Sequence, residues 1–279
     1  MIIPITQETL ESYVPSFRSS EPYIFDSLQG YILAAREKAA FILGADVEAQ
    51  ADGSTVLRPL YVQLICYSAA RRAVPGLDLI LTENGFGVVN NQNVAPASYS
   101  RVEALLKQLR QQESQTLDTL ILQLLETAWK TSPEAGRIVN SLLWCPSLLR
   151  RYGLTLDGRE AYAEEFRTLQ PAISRAEEAV RRVISPELHT ELLRRQRNDA
   201  SDNTSTYAAV ADAARQYMAA VALGPAAQPA KVELLKERLL RTVEEHAADL
   251  PEYTSSATYR AHHFQHYENR REDHTFFFS

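Results

Sequence analysis

The sequence is poor in glycine, with only 10 among its 279 residues. An average composition would give roughly twice as many. Loops that cradle phosphate groups need closely spaced glycines, and tight turns need residues that tolerate positive φ. The scarcity therefore disfavours nucleotide-binding loops and β folds with many turns. The single Gly-x-Gly, at 85–87, precedes a β-prone run rather than a helix, which argues against a dinucleotide site.

Cysteine and long apolar runs are also scarce. Cys66 and Cys145 each stand among apolar neighbours, which predicts buried free thiols rather than a disulfide framework. No apolar run approaches the roughly 20 residues of a membrane span. The first residues lack the pattern of a signal peptide. We therefore expect a protein without a membrane partner that folds in a reducing cytoplasm.

The composition that remains is that of a globular protein. Hydrophobic residues make up 45% and charged residues 23%, enough to bury a core. The net charge of −6 argues against a general nucleic-acid-binding surface.

Helical periodicity covers most of the chain. Apolar residues recur at spacings of three and four over about 24–43, with Gly44 as a stop, and again over about 56–73. Ser100 to Glu103 is a capping-box pattern that predicts a long helix through roughly Trp129. Trp129 and Trp144 are predicted core anchors.

Two Ser-Pro-Glu triplets mark further helix starts. Ser132 and Ser185 each precede Pro and Glu, which gives a cap, a fixed φ and an anion at the positive helix end. The helical run over about 159–198 is therefore expected to break near 185. Helices are also predicted over about 206–223 and 229–248. The fold class is predicted to be mainly α, with one or more helical bundles.

One β-hairpin is predicted, over about 77–91, around the turn dipeptide Asn84-Gly85. This register places Glu83 opposite Phe86 and Leu81 opposite Val88. Ile80 and Val89 would share the other face. Since both faces are partly apolar, we expect helices to cover one face and a neighbouring molecule the other. The predicted contact residues of the hairpin are Ile80, Asn84, Phe86 and Val89.

The chain is expected to divide into three parts. A helical domain with the hairpin covers 1–155, a second helical domain covers 156–250, and an extended C-terminal arm covers 251–279. Turn chemistry at Gly153 and Asp157-Gly158 supports the first boundary. Fading periodicity after Pro251 supports the second.

His262, His263 and His266 form the only histidine cluster of the sequence. His262 and His266 would share a helical face, and Glu268, Asp273 or His274 could add a third metal ligand. No His-Glu-x-x-His order is present, so a polar or interface segment is favoured over a metal site. No cofactor and no catalytic residue is predicted.

The aromatic run Phe276, Phe277 and Phe278 is unusual in an otherwise charged segment. These rings either complete a sheet edge within the chain or dock into a neighbouring molecule by strand addition. Docking is favoured, so the three phenylalanines are also predicted interface residues.

Three stretches resemble a family of uncharacterised proteins from Bacteroidetes genomes, largely prophages and related gut phages. They are 76–89, 93–98 and 101–103, and Leu250 to Tyr253 with Ser256 and Tyr259 also fits the family. The resemblance implies a virion structural protein similar to a head–tail adaptor, or connector. Such adaptors combine a helical bundle, a projecting loop or hairpin, and a terminal arm.

The expected function is therefore that of a ring subunit linking a phage portal to the tail. Its partners would be copies of itself and the portal, tail or neck proteins. It would be made in the host cytoplasm and end in the virion neck. Two alternatives stay open: a metal-dependent enzyme using the C-terminal histidines, and a helical binding module of the host cytoplasm.

Overall fold

The structure, a computed structural model, describes residues 2–18, 22–77, 80–82, 85–87, 98–152, 155–156, 159–160, 163–198, 206–224 and 228–264. These residues form thirteen α-helices and two pairs of very short strands, so the predicted mainly α fold is confirmed. No helix in these ranges combines the length and the apolar character that crossing a bilayer requires.

The chain divides into two compact units, Met1–Gln170 (unit 1) and Pro171–Ser279 (unit 2). The division lies within helix α8 (Ala163–Ile184), beside Pro171, rather than at the turn predicted near 155. In the region of that prediction, the two-residue strands β3 (Thr155–Leu156) and β4 (Arg159–Glu160) pair antiparallel within unit 1.

Unit 1 is built mainly from seven helices. They are α1 (Gln7–Tyr13), α2 (Pro22–Leu43), α3 (Val47–Asp52), α4 (Leu57–Leu77), α5 (Tyr99–Leu124), α6 (Pro133–Ile138) and α7 (Pro146–Arg151), with 3-10 helices at Pro15–Phe17 and Ala128–Thr131. The positions predicted for α2 and α4 are confirmed. Gly44 has a φ of +102°, a conformation that glycine adopts without steric cost, and it ends α2 as expected.

Helix α4 is the centre of unit 1, packing against α1, α2, α3 and α5. Buried residues run continuously along its middle, from Leu64 to Ala70, so that no stripe is left for solvent there. A helix that buries its whole circumference must lie inside a bundle. Cys66 lies in this stretch, and both cysteines are buried and free, as predicted.

Trp129 joins two parts of unit 1. It is buried in the 3-10 helix Ala128–Thr131, and its indole Nε1 donates a hydrogen bond of 2.6 Å to the carbonyl oxygen of Leu43. Thr127 starts this short helix by accepting a hydrogen bond from the Trp129 amide, so α5 ends earlier than predicted. Trp144 is also buried, and both tryptophans are core anchors as expected.

The predicted hairpin over 77–91 is not supported as an element of this fold. Leu77 is the last residue of α4, and the described remainder consists of two three-residue strands, β1 (Ile80–Thr82) and β2 (Gly85–Gly87). Leu81 pairs with Phe86 rather than with Val88, so the predicted register is also wrong. Gly85 belongs to a strand here, which excludes the Asn84-Gly85 turn. An isolated strand pair of this length adds little stability.

The predicted capping box at Ser100 is wrong. The cap residue of α5 is Ser98, whose hydroxyl lies 3.2 Å from that of Ser100 and caps no backbone amide. The Glu103 carboxylate accepts a hydrogen bond of 2.9 Å from the Tyr99 hydroxyl, one helical turn before it. Glu103 is therefore engaged along the helix and does not reach back to the cap residue.

Unit 2 contains α8 from Pro171 onward, α9 (Pro186–Asn198), α10 (Thr206–Ala222), α11 (Pro229–Glu245), a 3-10 helix at Ala247–Asp249, α12 (Pro251–Thr254) and α13 (Ala257–His262). The Ala-rich α10 packs against α11, and α9 packs against α12. Small alanine side chains let the axes of α10 and α11 come close, while Leu239 and Val243 of α11 are fully buried.

Both Ser-Pro-Glu triplets start helices, as predicted. Ser132 Oγ accepts a hydrogen bond of 3.1 Å from the Ala135 amide at the start of α6. Ser185 Oγ accepts one of 3.2 Å from the Leu188 amide at the start of α9. Ser185 also has a φ of +89°, outside the helical range, and it separates α8 from α9, which confirms the predicted break.

The predicted extended arm starting at residue 251 is wrong for its first part. Residues 251–254 and 257–262 form the short helices α12 and α13, and Leu250 and Tyr253 are fully buried. Tyr253 is the one buried residue of α12, and α13 has no buried residue, so neither helix has the periodic apolar stripe that sequence analysis looks for. Residues 265–279 lie outside the described residues.

The strained cap at Ser185 gives a first prediction. Glycine accepts positive φ freely and weakens a cap by only a few tenths of a kcal/mol, whereas a non-glycine residue in this conformation costs about 1 kcal/mol. We expect Ser185→Gly to leave the free energy of unfolding unchanged or to raise it. Ser185→Ala should lower it by about 1 kcal/mol, because the cap is lost and the strain stays. Chemical denaturation measures both.

Ser132 is the matched control, since its φ is −71°. Ser132→Gly and Ser132→Ala should both destabilise the protein. A Ser185→Gly variant that loses more stability than Ser132→Gly would contradict the assignment of strain to Ser185.

Candidate functional site

Most of the predicted interface residues lie outside the described residues. This holds for Asn84, Val89 and the three phenylalanines Phe276, Phe277 and Phe278. Ile80 lies in β1, opposite Gly87, and Phe86 lies in β2, opposite Leu81. The described backbone thus brings Ile80 and Phe86 onto one strand pair.

The C-terminal histidines do not form a metal centre in the described chain. His262 ends α13 and His263 follows it, while His266, Glu268, Asp273 and His274 lie outside the described residues. His263 Nδ1 lies 3.0 Å from the Tyr259 carbonyl oxygen, and its Nε2 lies 3.3 Å from Glu244 Oε2. No group of three His, Cys, Asp or Glu side chains that could hold a metal ion occurs among the described residues.

His262 instead takes part in a hydrogen-bonded cluster around Tyr253. The Tyr253 hydroxyl donates to Glu244 Oε1 at 2.5 Å and lies 3.1 Å from His262 Nδ1. Because the hydroxyl has a single hydrogen, it accepts from His262. Burial, reinforced by Glu244, raises the pKa of Tyr253 well above its ordinary value, so the phenol stays protonated. The cluster joins α12 and α13 to the end of α11.

Removing the Tyr253 hydroxyl should weaken this junction. Tyr253→Phe loses both hydrogen bonds in a buried setting, and we expect it to lower the free energy of unfolding by about 1 kcal/mol. Tyr259→Phe is the matched control, because the Tyr259 hydroxyl forms no hydrogen bond with the described residues. Thermal denaturation of the two variants compares them. Equal losses would show that the Tyr253 hydroxyl adds nothing beyond ring packing.

A second polar cluster lies inside unit 1, around Glu113 of α5. Its carboxylate is nearly buried, yet it contacts two cations from different helices. Lys38 Nζ of α2 lies 2.6 Å from Oε1, and Arg71 Nε of α4 lies 2.7 Å from Oε2. Burial alone raises the pKa of Glu113, but Lys38 and Arg71 outweigh it and hold the pKa below its ordinary value of 4.5.

This ion cluster joins three helices of unit 1, because the carboxylate of α5 contacts one cation from α2 and one from α4. No sequence pattern indicates this cluster, because its three residues belong to three separate helices and share no regular spacing. It could be found only by packing α2, α4 and α5 together.

Glu113→Gln should lower the free energy of unfolding of unit 1. It should also make that free energy depend less on pH in the acidic range. Near pH 7 we expect the free energy of unfolding of the variant to be about 2 kcal/mol lower than that of the wild type, because two partly buried cations lose their counter-charge. The pKa of Glu113 is lower in the folded protein than in the unfolded chain. The stabilisation from its charge is therefore complete above the unfolded pKa and disappears as the pH falls through the folded pKa. The difference between wild type and variant should therefore shrink below about pH 5.

Glu103→Gln is the control for this series, because it makes the same change on the exposed part of α5. It should change stability by less than about 0.5 kcal/mol at every pH. A wild-type-minus-variant difference for Glu113→Gln that stays constant down to pH 3 would contradict the linkage.

The thiols offer no nucleophile. Burial raises the pKa of Cys66 to about 12, against a smaller opposing effect of Arg36. The thiolate needed for nucleophilic attack is therefore absent near neutral pH. Cys145 is buried as well.

The outward side of α2 carries an apolar surface. Phe41 is 78% exposed and Leu33 is 58% exposed, on the side of α2 away from its buried residues Ala35 and Ala39. The two side chains are eight residues apart, about 80° around the helix, with the carboxylate of Glu37 between them. We call Leu33 and Phe41 the α2 surface. Sequence periodicity could have found it, because both residues fall outside the core stripe.

Unit 2 contains a groove of about 700 Å³ between α8 and α11. Its floor is apolar, formed by Ala179, Val183, Tyr217 and Leu240. Its rims are charged and of both signs. They are formed by Arg175, Glu178 and Arg182 of α8 and by Glu233, Lys236 and Glu237 of α11, with His262 at one side. A volume of this size lies within the range of ligand-binding clefts, about 300–1,000 Å³.

Comparison with known families finds one match. A family of unknown function, DUF6712, matches residues 29–137, less than half of the chain. The matched segment holds the α2 surface, the Glu113 cluster and β1 and β2, whereas the groove of unit 2 lies outside it. No curated protein and no solved structure matches this chain.

Proposed function

We propose that the protein is a structural subunit of a phage virion, an adaptor that forms a ring between the portal and the tail. The resemblance of residues 76–89, 93–98 and 101–103 to phage and prophage proteins supports it, and so does the helical architecture. Copies of this chain would pack side by side in the virion neck after synthesis in the host cytoplasm. No reaction is assigned to it.

The observation that carries the proposal is the α2 surface. A phenylalanine and a leucine facing water from one well-packed helix are costly to leave uncovered, since a fully buried side chain of this size contributes about 1.5–3 kcal/mol. A ring requires a patch on each subunit that fits a different patch on the next subunit. The α2 surface is suited to be one of these two patches.

The remaining contacts of the ring are proposed from the sequence. Ile80 and Phe86, on β1 and β2, would touch a neighbour together with Asn84 and Val89. Phe276, Phe277 and Phe278 would do the same in the assembled particle. DNA would pass through the ring without specific binding, in keeping with the net charge of −6.

Assembly of the purified chain tests the proposal. Light scattering should show a mass that rises with concentration towards a closed oligomer, and electron micrographs should show rings. We expect Leu33→Ser and Phe41→Ser each to weaken association about tenfold, which corresponds to 1.4 kcal/mol. Far-ultraviolet circular dichroism should be unchanged, because both side chains already face solvent.

Leu234→Ser is the matched control, because Leu234 of α11 is 64% exposed but lies outside the α2 surface. This variant should associate like the wild type. A strictly monomeric wild type at high concentration would contradict self-assembly. If all three variants associate equally strongly, the α2 surface is not part of the interface.

The two alternatives predict other outcomes of the same experiment. A metal-dependent enzyme would be a monomer that retains a stoichiometric metal ion in elemental analysis and loses it in His262→Ala. A helical binding module would be a monomer without metal. Neither alternative is favoured by a specific contact among the described residues.

A further inference from the structure

The groove of unit 2 has the features of a binding site for a polypeptide segment. Arg175, Glu178 and Arg182 recur along one side of α8, and Glu233, Lys236 and Glu237 do so along α11. Polar rims around an apolar floor, with alternating charges, resemble the grooves that receive an amphipathic segment. A purely apolar ligand would leave these charges facing it.

Two rim charges are left without partners. Glu178 pairs with Arg182 on α8, and Glu233 pairs with Lys236 on α11, each at 3.4 Å. Arg175 and Glu237 form no ion pair with the described residues. An occupant that carries charges of both signs would therefore find one cation and one anion available.

The position of α13 indicates which segment can reach the groove. His262, the last residue of α13, lines the groove, and only two more described residues follow it. The groove runs along α8 from Arg175 to Val183, about 12 Å at the helical rise. About four extended residues span that distance. Residues 265–279 are long enough to enter it directly from α13.

The composition of residues 265–279 complements the groove. Arg270 and Arg271 could pair with Glu237, and Glu272 and Asp273 with Arg175. The three phenylalanines at 276–278 would cover the apolar floor. Because the segment is attached beside its site, its effective concentration there is high without any second molecule.

We propose that residues 265–279 dock into the groove between α8 and α11 of the same molecule. This contact does not depend on the proposed ring. It gives the C-terminal phenylalanines an apolar surface to cover within the isolated chain. The neighbour contact proposed above would then require the segment to leave the groove.

Disulfide cross-linking of the full chain tests the docking. The native cysteines are buried, so two introduced cysteines report on the surface alone. One is Thr275→Cys, which keeps all three phenylalanines. The other is Lys236→Cys at the rim of the groove or, as a matched control, Leu234→Cys. Residue 234 lies about 200° around α11 from residue 236.

Mild oxidation should join residues 275 and 236 within one molecule about tenfold faster than residues 275 and 234. The product should migrate as a compact monomer on a non-reducing gel. Adding Leu240→Asp places a charge on the apolar floor of the groove. The cross-linking rates at residues 236 and 234 should then become equal. Equal rates without that change would overturn the docking. A product that joins two molecules at residue 236 would overturn the intramolecular arrangement and assign the groove to a neighbour's segment.

Discussion

The middle of helix α4, from Leu64 to Ala70, has no side that faces solvent, and this constraint organises unit 1. Tyr61, Ile65, Cys66 and Ala73 are essentially inaccessible to solvent. Helices α2 and α5 both pack against α4, and Ile32 of α2 and Leu120 of α5 belong to the same buried apolar cluster. The Glu113 cluster makes the relative positions of the packed helices more specific. A carboxylate with a cation from each of two helices fixes their positions along one another, which apolar contacts alone leave looser.

The residues at which several helices begin or end were predicted well from the sequence. Gly44, Ser132 and Ser185 start or stop helices because each satisfies a local backbone requirement, namely positive φ or an unpaired amide. Such requirements involve neighbours within four residues and are visible in sequence. The Ser100 capping box is absent for an equally local reason, because α5 already begins at Tyr99 and Ser100 lies inside the helix, while Glu103 accepts a hydrogen bond from Tyr99.

Features set by tertiary contacts escaped prediction. The hairpin pattern at 77–91 was overridden at its start by α4, which continues past Pro75 to Leu77. The short helix α12 is anchored by Leu250 and Tyr253, two buried side chains without periodic neighbours, and the Tyr253 hydroxyl contacts His262 at the end of α13. The α2 surface could have been predicted from helical periodicity, because Leu33 and Phe41 lie outside the buried face of α2. Its exposure became evident only when no other described element covered it.

The wide sequence separation of the Glu113 cluster has a kinetic consequence. Lys38, Arg71 and Glu113 come together only after α2, α4 and α5 have all docked, which closes two long loops. We expect an ion pair that depends on three docked helices to form after the transition state of folding. Contacts absent from the transition state slow unfolding while leaving the folding rate unchanged. On that expectation, the cluster lengthens the lifetime of folded unit 1 without changing how fast it folds.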